Sequence, residues 1–304
     1  MAGAEGGTKA TVAALIANSG LAAAKFVAFV FTGSSAMLAE GIHSVADSSN
    51  QLLLLFGIWR SRRKATELHP FGYGRERYFW SFVVSIVLFT LGSLFSLYEG
   101  FEKLRHPHEI SSIAWAIGVL SLGLVLEGFS MRTAVVQANR IRTTGWWAFI
   151  RRARTPELPV VLLEDAGALL GLALALVGVV AASVTGDPRF DALGSVAIGA
   201  LLGVIAIVLA IEMKSLLIGE SASTAHLETI RRVFAADADA NEVLELRTLH
   251  LGPDELLVAA KVRLPSTLNA DGVARAIDRV EGELRRHLPE ATAVFVEPDL
   301  PEPV

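Results

Sequence analysis

The chain has 304 residues, of which 52% are hydrophobic and only 19% charged, against nearer 25% charge in soluble domains. It contains no cysteine, which excludes disulfides and thiolate metal sites and leaves His, Asp, Glu and backbone oxygen as the only ligands for any metal. The net charge of -4 divides unevenly: residues 219–304 hold 16 acidic and 9 basic side chains, and the rest of the chain is net positive.

Six apolar stretches are long enough to cross a hydrocarbon layer of about 30 Å, at about 20 residues each. They lie near Ala10–Phe31, Met37–Trp59, Tyr78–Gly100, Ile113–Val136, Val160–Val184 and Phe190–Ile211. The link from Thr32 to Ala36 is so short that the first two spans form a tight antiparallel hairpin. Met1–Ala10 has one lysine and no arginine, unlike an organelle transit peptide, and the first apolar run is of a kind that serves as an uncleaved signal anchor.

Basic residues orient the spans. The second link carries Arg60, Arg62, Arg63, Lys64, Arg75 and Arg77, and the fourth carries Arg140, Arg142, Arg151, Arg152 and Arg154. The opposite links have only Lys103, Arg105 and Arg189. Positive links stay in the cytoplasm, so both termini are expected there, and an even number of spans requires them to share a side. The localisation expected is a plasma or bacterial inner membrane, crossed several times.

The composition changes after Ile218, which sets the expected domains at 1–218 in the membrane and 219–304 in the cytoplasm. Ser223–Ala236 reads as an amphipathic helix. Val243–Leu251 and Leu256–Leu264 alternate as strands about a Gly252-Pro253-Asp254 turn. Ala270–Leu288 reads as a second helix and Ala293–Val296 as a last strand. The fold class expected is therefore an all-α bundle of six transmembrane helices followed by a small α+β domain of order αββαβ.

Ionisable side chains at membrane depth are costly and mark ion pathways. The second span holds Glu40-Gly41-Ile42-His43-Ser44-Val45-Ala46-Asp47, whose His43 and Asp47 stack on one helical face. A neutral imidazole and a carboxylate make half of a tetrahedral zinc site. The alternative, a polar pair bonding neighbouring helices, is a role that Asn50 and Gln51 fill without a charge. The fifth span adds Glu164 and Asp165 inside an apolar run; a late helix start would make them interfacial acids instead. Together His43, Asp47, Glu164 and Asp165 suffice for one divalent cation. Asn18 and Lys25 share a face of the first span and read as structural. Glu127 is the candidate acid from a third helix, as a counter-charge for Arg132 or a proton relay. The stripe of Gly167, Gly171, Ala175 and Gly178 reads as a close-packing face.

Gly33-Ser34-Ser35-Ala36-Met37, the His43-x-x-x-Asp47 pair and His69-Pro70-Phe71-Gly72-Tyr73-Gly74 resemble the cation diffusion facilitator family, the solute carrier family of zinc transporters. Leu162-Leu163-Glu164-Asp165, the long fourth link and Gly186-Asp187-Pro188 are similar to the subgroup of the mitochondrial zinc transporter of animal cells. The resemblance implies a homodimer, a ferredoxin-like cytoplasmic domain, and metal export coupled to proton entry. Three departures stand out. If Asp165 rather than Glu164 is the family's Asp, Val161 occupies the place of its second His, and Tyr73 stands where some members have a His. Lys261, Asp271 and Glu297 occupy positions resembling the family's cytoplasmic metal site.

The function expected is thus proton-coupled efflux of a divalent cation, zinc first, by a transporter and not an enzyme. His43, Asp47, Asp165 and Glu164 are the expected metal ligands, with no prosthetic group and no nucleic acid partner. The extra acid hardens the site, which raises manganese, iron or cobalt as alternatives. An intramembrane metallohydrolase is disfavoured by the lack of a His-Glu-x-x-His motif. A scaffold without transport leaves the buried acids unexplained.

Overall fold

The structure is a computed structural model that describes residues 35–107, 113–142 and 145–299, together with part of 8–30. Four of its helices are long and apolar enough to cross a membrane. They form an integral membrane bundle of α2 (Glu76–Arg105), α3 (Ile113–Ile141), α5 (Glu157–Thr185) and α6 (Arg189–Ile218). α1 (Ser35–Ser61) has 27 residues, about 40 Å at 1.5 Å per residue, but Glu40, His43, Asp47, Asn50 and Gln51 interrupt its apolar run. The first expected span, Ala10–Phe31, lies partly outside the described residues, which include an apolar helical stretch, Thr11–Ala24. A short helix, α4 (Trp146–Arg152), occupies the link before α5.

The chain falls into two compact units. One holds the long helices as far as Lys214, and the other holds Ser61–Arg75 together with the chain from Ser215 onward.

Local chemistry sets the helix ends of the first unit. α5 starts at Pro156-Glu157, with Pro159 still in the first turn, where a missing N–H costs nothing. It stops at Gly186, whose φ of 72° is left-handed and whose N–H closes on Ala182 O. Asp187 Oδ1 then accepts the Arg189 N–H at 3.0 Å, starting α6 at once. Small residues let helix backbones meet. A Cβ on Gly199 of α6 would sit 2.8 Å from the Leu97 backbone nitrogen of α2, and one on Gly100 2.8 Å from that of Val196. α2 contains a π-helical turn, Leu88–Leu94, where Ser93 Oγ donates to Gly199 O of α6 at 2.8 Å. Such turns free a carbonyl or tilt a side chain within an otherwise regular helix.

The second unit is a three-stranded sheet backed by two helices, in the order α7 (Thr224–Ala236), β1 (Glu242–Gly252), β2 (Glu255–Arg263), α8 (Ala270–His287) and β3 (Ala293–Asp299). β2 is central, antiparallel to β1 and parallel to β3. Alternate β2 residues Leu256, Val258, Ala260 and Val262 are buried against Ile230 and Phe234 of α7 and Ala276, Val280 and Leu284 of α8, as a period of 2 facing a period near 3.6 requires. Ser223 and Asn269 cap the two helices, accepting the His226 and Gly272 N–H groups.

Arg279 of α8 binds Asp237 and Asp239 in the loop after α7, at 3.1 and 2.7 Å. Partial burial raises the Asp237 carboxyl, but the Arg279 hydrogen bond and two backbone N–H groups outweigh it and hold the carboxyl below its usual range. A depressed carboxyl stabilises the fold above its unfolded value of about 3.9 and loses that contribution as pH falls through its folded value. Arg279→Ala is therefore expected to weaken the domain slightly near neutrality, Arg279 being exposed enough for solvent to screen the pair. At a pH below both values the two proteins should unfold alike. Denaturant unfolding across pH, with an NMR titration of Asp237, checks this.

The link Ser61–Arg75 belongs with this unit because Gly74 lies against the hairpin turn. A Cβ on Gly74 would meet Leu251 O at 2.8 Å and Gly252 Cα at 3.0 Å. Glu255, also beside Gly74, has a buried Oε2 without a hydrogen bond, and burial pushes its carboxyl up. Within the link, Arg63 lies over the Tyr73 ring, which meets His69 edge-on. Gly74→Val is expected to lift the link from the hairpin. Trypsin should then cleave after Arg62 and Arg63 at least about tenfold faster, since opening of a docked segment limits its cleavage.

Candidate functional site

The two acids of α5 lie two turns inside the helix, not at its edge, because α5 begins at Glu157 rather than near Val160. Both are buried: Glu164 is 7% and Asp165 2% exposed. Adjacent residues point about 100° apart, and the two carboxylates accordingly have different partners. Glu164 faces α1, accepting from Asn50 Nδ2 at 2.7 Å and Gln51 Nε2 at 3.4 Å. Asp165 faces α3, accepting from Ser130 Oγ at 2.9 Å. Gln51 Oε1 in turn accepts from Asn18 at 3.5 Å, so a row of amides leads toward the acid. Asn50 and Gln51 do bond neighbouring helices, as their lack of charge suggests.

Asp47 is half-buried on α1, and Glu127 is buried on α3. The negative charges of both reach Glu164 and Asp165. Four carboxylates from three helices therefore share one field deep in the bundle, where protons or a cation must neutralise them. Glu127 stands with the acids of the site. His43 lies on α1 one turn before Asp47, and its side chain is outside the described residues, as are those of Lys25 and Gly33-Ser34. Among the described residues no three His, Asp or Glu side chains come close enough to hold one ion between them.

Val161, one turn before Asp165, is buried in the apolar core of the bundle. The stripe continuing the Glu164 face does meet a helix closely, but that helix is α6: Gly167 lies against Leu202 and Ile205, and Gly178 against Phe190 and Gly194. The Glu164 carboxylate reaches sideways to α1 instead. In the second unit Lys261 pairs with Glu297 at 3.8 Å and Asp299 at 3.3 Å across β2 and β3, and His226 lies 3.2 Å from Glu290.

Two polar contacts of the bundle carry little sequence signal. Arg77 of α2 binds Glu157 of α5 through one edge of its guanidinium, Nε donating to Oε1 at 2.5 Å and Nη2 to Oε2 at 2.8 Å. Arg151 of α4 binds Glu212 of α6 at 3.0 Å. An acid directly after Pro156, opposite an arginine-rich link, is the one hint of the first.

The chain is 33% identical over 273 residues to the proton-coupled zinc antiporter SLC30A9, mitochondrial, of Xenopus laevis, covering 86% of this chain and 48% of that protein. It is 33% identical over 251 residues to the Homo sapiens protein of the same name, covering 82% and 43%. It is 27% identical to the magnetosome protein MamB of Magnetospira sp. (strain QH-2), covering 87% and 88%. The chain spans about half the length of the first two. Residues 11–218 match the cation efflux transmembrane domain, and the chain therefore belongs to the cation efflux family.

Proposed function

We propose that the chain is a proton-coupled exporter of divalent cations, with zinc as its main cargo. The observation that carries this reading is the set of carboxylates Glu127, Glu164 and Asp165 buried on α3 and α5, with half-buried Asp47 on α1, in a cation efflux family member. His43, Asp47, Asp165 and Glu164 are the proposed ligands. One nitrogen with carboxylate oxygens suits zinc, and the surplus of carboxylates admits manganese, iron or cobalt as the second reading. Ligands must lose protons to hold a metal, so metal and protons compete for the same groups.

In this reading the cation enters from the arginine-rich end of the bundle and leaves at the other after a rearrangement of the helices, where protons displace it. The zinc antiporter relatives support the choice of zinc. The arginine-rich links support cytoplasmic termini and a plasma or bacterial inner membrane. We further propose six spans, Thr11–Ala24 marking the first and α1 forming the second, with residues 1–218 as the membrane domain. Residues 219–304, in the order αββαβ, form a ferredoxin-like domain that joins two copies.

Vesicles containing the purified chain, given an outward proton gradient, test the proposal. Zinc should accumulate at a rate that falls when the gradient is collapsed. Zinc flux no faster than through empty vesicles, with or without the gradient, would reject it.

A further inference from the structure

The first two turns of α5 are closed off more completely than the site itself. Leu158, Val161 and Leu162 are at most 3% exposed and pack with Leu54 of α1 and Leu209 of α6 in one apolar cluster. This plug lies on the arginine-rich side of Glu164 and Asp165. At its margin Arg77 and Glu157 form their two-pronged ion pair, with side chains 6% and 1% exposed. Glu157 is seven residues before Glu164, so it shares that face of α5 about 10 Å nearer the end.

A buried ion pair is a poor device for stability alone, since apolar residues of similar size often hold a core as well or better. It differs from them in how it opens. Parted within an apolar core, both charges would be stranded at high cost. Parted into a water-filled crevice, each recovers hydration that offsets much of the lost attraction. The pair thus favours two arrangements, shut or flooded, over anything between.

The helix contacts provide for such an opening. α2 and α6 meet backbone to backbone at Gly100 and Gly199. Toward its far end α5 meets α6 at backbone distance, where a Cβ on Gly178 would lie 3.0 Å from Phe190 O. Near the plug, Gly167 meets side-chain tips of Ile205 and Leu202. At the plug end α5 is held by side-chain packing, with Leu54, Ala134, Ala138 and Leu209 in one cluster, and by the Arg77–Glu157 tie to α2; these are the contacts an opening would part.

We propose that the Arg77–Glu157 pair is the latch that closes the cation site toward the arginine-rich end, and that it parts to admit the ion. The latch rests on the transport reading for its purpose, but its opening is measurable without transport. Because the chain has no cysteine, Val161→Cys places a single thiol in the plug, one turn from Glu157. In the full-length protein a water-soluble maleimide should react slowly with this thiol. Adding Glu157→Gln should speed the reaction at least about tenfold, and the exchange Arg77→Glu with Glu157→Arg should slow it again.

The apolar pair Arg77→Met with Glu157→Leu should fold, leave the thiol as protected as before, and lower zinc flux in vesicles at least about tenfold. Unchanged labelling in folded Glu157→Gln protein overturns the latch. If that variant does not fold, the apolar pair decides, and full zinc flux through it overturns the latch. Labelling that responds as expected in a protein that moves no cation leaves the latch standing and rejects the transport reading instead.

Discussion

Asp165→Asn is expected to abolish cation flux at every pH, a loss of at least about a hundredfold, beyond the ten- to hundredfold typical of residues that merely orient a ligand. The substitution keeps size and shape, and an amide can still accept from Ser130, so the fold should survive. What disappears is one of the charges that make the buried site attractive to a divalent ion. Glu164→Gln should be milder. Both Glu164 oxygens already accept from amides, Asn50 on one and Gln51 on the other, so this carboxylate is held toward α1 and must leave those partners to bind an ion. Weaker metal binding with an altered pH dependence is the expected result. Flux through both variants, with calorimetric zinc titration of each, separates the roles. Should Glu164→Gln prove lethal and Asp165→Asn mild, Glu164 is the direct ligand and Asp165 an accessory charge.

Elements with a strong period were legible in the sequence. The run Val243–Leu251 falls within β1, and Leu256–Leu264 covers β2 to within one residue at each end, where burial alternates as a half-buried strand requires. Gly186 marks the end of α5 because a left-handed turn favours glycine. The acids at 164 and 165 stood out because nothing cheap explains two charges in an apolar run.

What remained hidden depends on distant partners or on very short elements. Arg77 and Glu157 are 80 residues apart, and each alone looks like an ordinary end-of-span charge. Ser130 is an unremarkable hydroxyl until Asp165 lies beside it. α4 has seven residues, too few to show a period, and reads as part of an arginine-rich link. The link Ser61–Arg75 joins the second unit through a glycine-to-glycine contact, which has no side chain to betray it.

The second large effect concerns α1. Asp47→Ala is expected to reduce flux to the level of empty vesicles while the protein stays folded and of unchanged oligomeric size. Asp47 is half-buried, and its charge is felt by both α5 acids. Removing it lowers the mutual repulsion of the cluster, which favours folding, and removes a ligand, which disfavours the ion. Stability and function should therefore part company: thermal unfolding in detergent stays level or rises as flux is lost. A merely structural Asp47 would give the opposite pattern, a lower unfolding temperature with flux retained in the fraction that folds. His43, one turn earlier on the same helix, permits a finer test. His43→Ala should be nearly as severe as Asp47→Ala, but His43→Asp should keep flux and change its selectivity. Replacing the one nitrogen donor with oxygen hardens the site, so manganese should gain on zinc in direct competition. A His43→Asp protein that keeps the wild-type preference for zinc would place His43 outside the ligand set and leave the site to its carboxylates alone.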